Sequence, residues 1–139
     1  MKRGLLLLLM ILGCTESKPD PAQLAAGQKI YAQHCAACHG AKLEGQPNWQ
    51  RRLPNGKMPA PPHDESGHTW HHPDEVLLGI TKHGMAPPYA PPGYPSDMPA
   101  FGSILSDDQI RAVLAYIESH WTTRELLEAR AEITRNARR

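Results

Sequence analysis

The chain has 139 residues, with 14 prolines, 11 glycines, three cysteines and a formal net charge of +1. Its length suits one ordinary domain, and its near-neutral charge argues against a nucleic-acid-binding protein, which is usually strongly basic. Aromatic residues make up only 6% of the chain. The folded part therefore has few large side chains for a core, and a small domain of this kind generally depends on a cofactor or a covalent cross-link.

The first thirteen residues predict a secretory signal peptide. Lys2 and Arg3 precede an apolar run over residues 5–12, and Gly13 follows it. A basic start, a short apolar run and a small residue are typical of a cleaved leader. The run is much shorter than the roughly 20 residues of a membrane-spanning helix. A buried N-terminal helix is the alternative, but the run has neither a polar face nor a cap.

The tetrapeptide ILGC at residues 11–14 resembles a bacterial lipoprotein box. The resemblance implies that Cys14 becomes the lipidated first residue of the mature chain and anchors it to a membrane. Residues 14–20 are polar and contain proline, which suits a short tether. We therefore expect a leader over residues 1–13, a lipidated tether over 14–20, and a location in the bacterial periplasm or at the cell surface.

The remainder of the chain predicts helices joined by long loops. Apolar spacing and stop signals predict helices over residues 21–34, 73–83, 107–117 and 123–139. Asp20 before Pro21 predicts the cap of the first helix, and Ser106 with Gln109 predicts a capping box for the third. Six prolines between residues 85 and 100 exclude regular structure there. No segment shows the alternating pattern typical of a strand. The predicted fold class is all-α.

The end of the chain, residues 122–139, predicts a separate helical extension. Thr122 and Glu125 are spaced as a capping box, the reciprocal pair of side-chain bonds that opens many helices. Arginines and glutamates dominate the segment, so we expect a solvated, partly frayed helix. Packing against the domain, contact with anionic lipid near the anchor and docking of a partner are the alternatives.

The pentapeptide Cys35-Ala36-Ala37-Cys38-His39 has the C-x-x-C-H spacing of c-type haem attachment. Two cysteines three positions apart reach the two vinyl groups of one haem, and the adjacent histidine ligates the iron. Bacteria attach haem in this way outside the cytoplasm, in agreement with the leader. A thioredoxin-like motif needs a preceding strand, and a structural zinc site needs four ligands. A plain disulfide also fits the spacing.

Two stretches, GQKIYAQHCAACHG and SDMPAFGSILSDDQIRAVLAYI, together resemble a small class I c-type cytochrome over about residues 21–120. The resemblance implies an all-α domain over residues 21–121 with one covalent haem c. It also implies an electron carrier rather than an enzyme. The partners would be redox proteins such as an oxidase, a reductase or a dehydrogenase, and the membrane would be contacted through the lipid anchor.

The same resemblance implies two internal contacts. The first is a helix crossing at which Gly27 and Tyr31 meet Val113 and Tyr116, with the missing Cβ of glycine allowing a close approach. The second is a hydrogen bond from the ring of the haem-motif histidine to the carbonyl of Pro47, which would fix the tautomer and raise the basicity of the ligand.

The resemblance further implies a methionine as the second axial ligand of the iron. Met98 directly precedes the last helix of the domain, where the family places this ligand, and Met58 and Met85 are the alternatives. Any of them could instead fill a gap in the core. A thioether ligand raises the reduction potential relative to a second histidine and closes the coordination sphere, which favours electron transfer over oxygen chemistry.

Residues 62–75 (PHDESGHTWHHPDE), here called the histidine-rich loop, contain four histidines: His63, His68, His71 and His72. Three interpretations fit this loop. In the first, His68, Trp70 and His71 contact the haem propionates or brace the loop. In the second, the histidines bind another metal such as copper or zinc, in a metal-handling or sensing haem lipoprotein. In the third, a histidine replaces Met98 at the iron.

Overall fold

A computed structural model describes residues 20–137 and 139. Its helices are α1 (Pro21–His34), α2 (Ala36–His39), α3 (Asp74–His83), α4 (Asp107–Glu118) and α5 (Arg124–Ala137), with a 3-10 turn at Thr69–His71. No strand occurs among the described residues, so the all-α class is confirmed. Over the same ranges, no helix combines the length and apolar character needed to cross a membrane. The leader and the lipidation of Cys14 lie outside the described residues.

The predicted caps of α1 and α4 are confirmed. Asp20 accepts a hydrogen bond from the backbone N–H of Ala22, with Pro21 in the first turn of the helix. Ser106 and Gln109 form the reciprocal capping box at the start of α4. Each pair satisfies backbone groups that have no partner inside the helix.

The core forms where α1 crosses α4, as the resemblance implied. A Cβ added to Gly27 would lie 2.0 Å from the carbonyl oxygen of Ala112 and 2.8 Å from Cβ of Tyr116, so the helices touch backbone to backbone. The ring of Tyr31 lies 5.5 Å from that of Tyr116. Val113, only 1% exposed, packs in the same core. This contact fixes the end of α1, and therefore α2, against the rest of the domain.

Between α2 and the histidine-rich loop, residues 47–59 form an excursion, a loop whose two ends are joined by hydrogen bonds between the flanking residues. The N–H of Gln46 donates to the carbonyl of Ala60 at 2.9 Å, and the N–H of Ala60 donates to the Gln46 side chain at 3.1 Å. Residues 47–59 therefore form a closed loop that lies on the domain, where Trp49 contacts His68 and Lys57 contacts Asp97. Further along, the N–H of His63 donates to the carbonyl of buried Leu43 at 2.8 Å.

The capping box predicted from Thr122 and Glu125 is wrong, because a carboxylate from another segment caps α5. Glu65 accepts hydrogen bonds from the backbone N–H groups and the hydroxyls of Thr122 and Thr123, with the Thr123 N–H at 2.8 Å. An anionic acceptor at a helix N-terminus is favoured by the helix dipole and by charge-assisted hydrogen bonding. The long-range partner therefore replaces the local one.

Of the interpretations of the extension, the structure favours packing against the domain over full solvation, since α5 buries Leu126 and Arg130. The Arg130 guanidinium donates to the carbonyl of His72 and to the carboxylates of Asp74 and Glu118. It also lies over the ring of Trp121, 5.5 Å from the centroid. Two carboxylates and an aromatic face offset the cost of burying this charge, which keeps an arginine-rich helix in place.

Glu65→Gln should destabilise the protein at neutral pH but not at strongly acidic pH. The hydroxyl of Thr123, with the N–H groups of Thr122 and Thr123, lowers the pKa of Glu65 from its usual 4.5 to about 2. Because the pKa is lower in the folded state, the carboxylate stabilises the fold fully above pH 4.5. That stabilisation is lost as the pH falls towards 2. Urea unfolding midpoints of both proteins across this range would show the difference closing.

The matched control is Glu125→Gln, which removes an exposed carboxylate from the first turn of the same helix. It should have a smaller effect at neutral pH than Glu65→Gln. Equal destabilisation by the two variants would contradict the assignment of Glu65 as the cap.

Candidate functional site

The two motif cysteines lie on one helical turn at the end of α1. The N–H of Cys35 donates to the carbonyl of Tyr31, and the N–H of His39 donates to the carbonyl of Cys35, both at 2.9 Å. Side chains three and four positions apart on such a turn share a face, so Cys35, Cys38 and His39 face the same side. Both thiols are free within the described part of the chain, in contrast to the disulfide alternative. Burial, with Cys38 adding to it, raises the pKa of Cys35 to about 11.

His39 is the buried centre of the motif, with only 8% of its surface exposed. Its Nδ1 lies 2.7 Å from the carbonyl oxygen of Pro61. Because a carbonyl only accepts hydrogen bonds, Nδ1 carries the hydrogen, and in the neutral ring Nε2 then has the free lone pair. Burial lowers the pKa of His39, although the Pro61 carbonyl partly opposes this. The ring is therefore neutral, oriented and able to ligate a metal through Nε2.

The expected partner of His39, Pro47, is wrong: the acceptor is the carbonyl of Pro61. The reason is the excursion closed by Gln46 and Ala60, which carries Pro47 to an exposed position. Pro61 directly follows the closure and so returns to the domain beside the histidine ring.

His63 stacks on His39, with ring centroids 3.9 Å apart and an interplanar angle of 22°. Its Nδ1 lies 2.9 Å from the hydroxyl oxygen of Thr69, which itself donates to the carbonyl of Pro62. Burial, with His39 and His68 nearby, holds the pKa of His63 well below its usual range. The ring of His63 is thus engaged in a stack on His39 and in a contact with Thr69, and ligation of the iron by a loop histidine stays an untested alternative.

The other predicted loop residues are engaged in stacked aromatic pairs. His68 stacks on Trp49 at 5.3 Å, and His71 stacks on Trp70 at 3.6 Å. The indole N–H of Trp70 donates to the carbonyl of Gly67 at 3.1 Å. These contacts brace the loop, and contact with haem propionates stays a prediction.

The structure does not gather the histidines into a further metal centre. Within residues 20–137 and 139, no group of three or more histidines, cysteines, aspartates or glutamates is arranged to hold a metal ion. Burial lowers the pKa of both His68 and His72, with neighbouring histidines adding to the effect. The loop histidines are thus accounted for by stacking and hydrogen bonding.

Of the three candidate methionines, Met98 is the one packed against the main core. Met58 and Met85 are half-buried elsewhere. The segment around Met98 is attached on both sides: Asp97 forms an ion pair with Lys57, and the N–H of Phe101 donates to the carbonyl of Thr81 at 3.0 Å. Its thioether is therefore carried by a segment that the domain holds in place.

These groups fit the donor set of a covalently attached haem. Two free thiols and a neutral, oriented imidazole lie on one turn, and a thioether lies at the edge of the core. These are the ligand types by which proteins hold c-type haem.

Comparisons with known proteins agree with this assignment. The family model described as Cytochrome c matches residues 24–121. A curated relative, cytochrome c6 of Leptolyngbya boryana, is 32% identical over 96 residues, which cover 69% of this chain and 91% of the relative. No solved structure matches the chain.

Proposed function

This chain belongs to the cytochrome c family, and on that premise we propose that it is a membrane-tethered carrier of single electrons with one haem. Membership of the family itself makes the chain an all-α class I cytochrome c that binds one covalent haem c and transfers electrons. In our proposal Cys35 and Cys38 form the thioethers, and His39 and Met98 are the axial ligands.

The hydrogen bond from Nδ1 of His39 to the carbonyl of Pro61 is the observation that carries the proposal. It sets the tautomer, holds the ring plane and strengthens the imidazole as a ligand. When bound, the haem supplies a one-electron ferrous/ferric couple. The chain's contribution is to keep the ligands fixed, so that little rearrangement accompanies a change of charge.

Two attachments support this rigidity. The close crossing at Gly27 fixes the helix that carries the cysteines. The hydrogen bonds of Phe101 and Gly102 to the end of α3 fix the segment that carries Met98. With His39 and Met98 as its two protein ligands, the iron would need no substrate bound to it, and no acid or base catalyst would be required. An electron carrier, rather than an enzyme, is the function that these features support.

The membrane tether rests on the sequence of residues 1–20, where a leader, a lipoprotein-like box at Cys14 and a polar linker follow one another. Such a tether would hold the domain beside membrane-bound redox proteins in the periplasm or at the cell surface. Transient contacts between redox partners are small, and confinement to one surface raises the effective concentration of the carrier.

The test is to produce the full chain in a bacterium that attaches c-type haem. We expect one haem per chain that survives denaturation and solvent extraction, and reversible one-electron reduction of the purified protein. We also expect membrane association that Cys14→Ser abolishes. Extraction of the haem would refute the covalent site, and unchanged membrane association of Cys14→Ser would refute the lipid tether separately.

A further inference from the structure

We propose that the C-terminal end of the chain positions the haem-ligating histidine by holding the histidine-rich loop against it. We call the residues that do this the C-terminal clamp: Trp121, Thr122, Thr123 and Arg130. The inference rests on the proposed role of His39 as an iron ligand. Most of the clamp lies beyond residues 24–121, the part that matches the family.

The start of the histidine-rich loop and the residue before it contact His39 in two ways. The carbonyl of Pro61, directly before the loop, accepts the hydrogen bond from Nδ1 at 2.7 Å. His63, two residues later, covers one face of the ring at a centroid distance of 3.9 Å. A shift of this short segment would therefore change both the hydrogen bond and the ring contact.

The clamp attaches to both ends of this loop. It contacts His63 and Glu65 near the start, and His72 and Asp74 at the end. The indole N–H of Trp121 donates to the carbonyl of His63 at 2.9 Å. Glu65 receives the hydrogen bonds of Thr122 and Thr123. Trp121 therefore bonds the backbone of the same residue whose ring stacks on His39.

The far attachment explains why the clamp is rigid. Arg130, 8% exposed, joins the carbonyl of His72 and the carboxylate of Asp74 to Glu118 of α4. Its guanidinium also lies over the ring of Trp121, so the residue that holds the end of the loop contacts the residue that holds its start. The loop is thus held at both ends by one helix and the turn before it.

The consequence for the haem site follows from the chemistry of the imidazole. A carbonyl that accepts from Nδ1–H makes the imidazole a stronger donor to the metal and stabilises the ferric state. Loosening the clamp weakens that hydrogen bond. The reduction potential should therefore rise, and the Nδ1–H proton should exchange faster with solvent.

The experiment uses the haem-loaded full chain and two variants. Trp121→Phe keeps an aromatic ring but removes the donor to His63, and Glu65→Gln weakens the cap of α5 without emptying a core position. Spectroelectrochemistry gives the reduction potential, and NMR of the ferrous protein gives the exchange rate of the His39 Nδ1–H. We expect a higher potential in both variants, with exchange about tenfold faster in Trp121→Phe.

The matched control is Ser106→Ala, which destabilises the domain through the cap of α4 and touches neither the loop nor the clamp. It should lower the unfolding temperature while leaving both readouts unchanged. Unaltered potential and exchange in Glu65→Gln and Trp121→Phe would overturn the inference, and so would equal shifts in the control. Should Trp121→Phe fail to fold, Glu65→Gln decides. Absence of attached haem in the wild-type chain would refute the proposed function instead.

Discussion

Replacement of Met98 by alanine should abolish the charge-transfer band of a methionine–iron bond in the visible spectrum of the oxidised protein. The band requires a thioether at the iron, and alanine offers none. The reduction potential should also fall, by on the order of 0.1 V, within the roughly 0.8 V that axial ligands span. The reason is that a thioether favours ferrous iron more than the oxygen or nitrogen ligand that would replace it.

The other two methionines provide the controls for this experiment. Met58→Ala and Met85→Ala remove half-buried thioethers outside the main core and should leave the band and the potential close to those of the wild type. Persistence of the band in Met98→Ala, or its loss in either control, would contradict the assignment. A histidine at the iron in place of Met98 would show as a wild-type spectrum without the band.

Replacement of Gly27 by alanine should strongly destabilise the domain. The added Cβ would lie 2.0 Å from the carbonyl oxygen of Ala112, and neither backbone can move without separating α1 from α4. Overpacking of this kind costs about 3 kcal/mol or more where the contact is backbone. In a domain of this size the unfolding temperature should fall by roughly 10 °C or more, measured by circular dichroism.

Ala26→Ser is the control, since it adds one atom to an exposed position next to Gly27 on the same helix. Helix propensity alone predicts a loss of about 0.5 kcal/mol. A comparable effect of Gly27→Ala would mean that the two helices do not meet as closely as the structure has them.

Local patterns predicted the elements whose determinants lie close together in the chain. The caps at Asp20 and Ser106 each involve groups within three residues, and the structure confirms both. The thiol and imidazole spacing of the haem motif is likewise local, since one helical turn brings Cys35, Cys38 and His39 to one side. The crossing at Gly27 came from the family resemblance, because the partner Ala112 lies far along the chain.

The contacts that sequence reasoning missed all join distant segments. The local sequence does not distinguish Pro47 from Pro61 as the partner of His39. The hydrogen bonds between Gln46 and Ala60 place Pro61, and not Pro47, beside the ring. Glu65 lies 57 residues before Thr122 and 58 before Thr123, the two residues that precede α5 and donate to it. An isolated arginine-rich helix would be solvated, and the sequence of α5 therefore predicted exposure. The burial of Arg130 depends on Asp74 and Glu118, which lie in other segments.

The excursion over residues 47–59 has a consequence for how much the sequence of this protein can vary. Its ends are joined by hydrogen bonds between Gln46 and Ala60. Its tip is a separate tight turn in which the N–H of Gly56 donates to the carbonyl of Leu53. Lengthening such a tip adds little closure entropy. We therefore expect residues inserted beside Asn55, or a small reporter domain grafted there, to be tolerated while Pro61 stays in place.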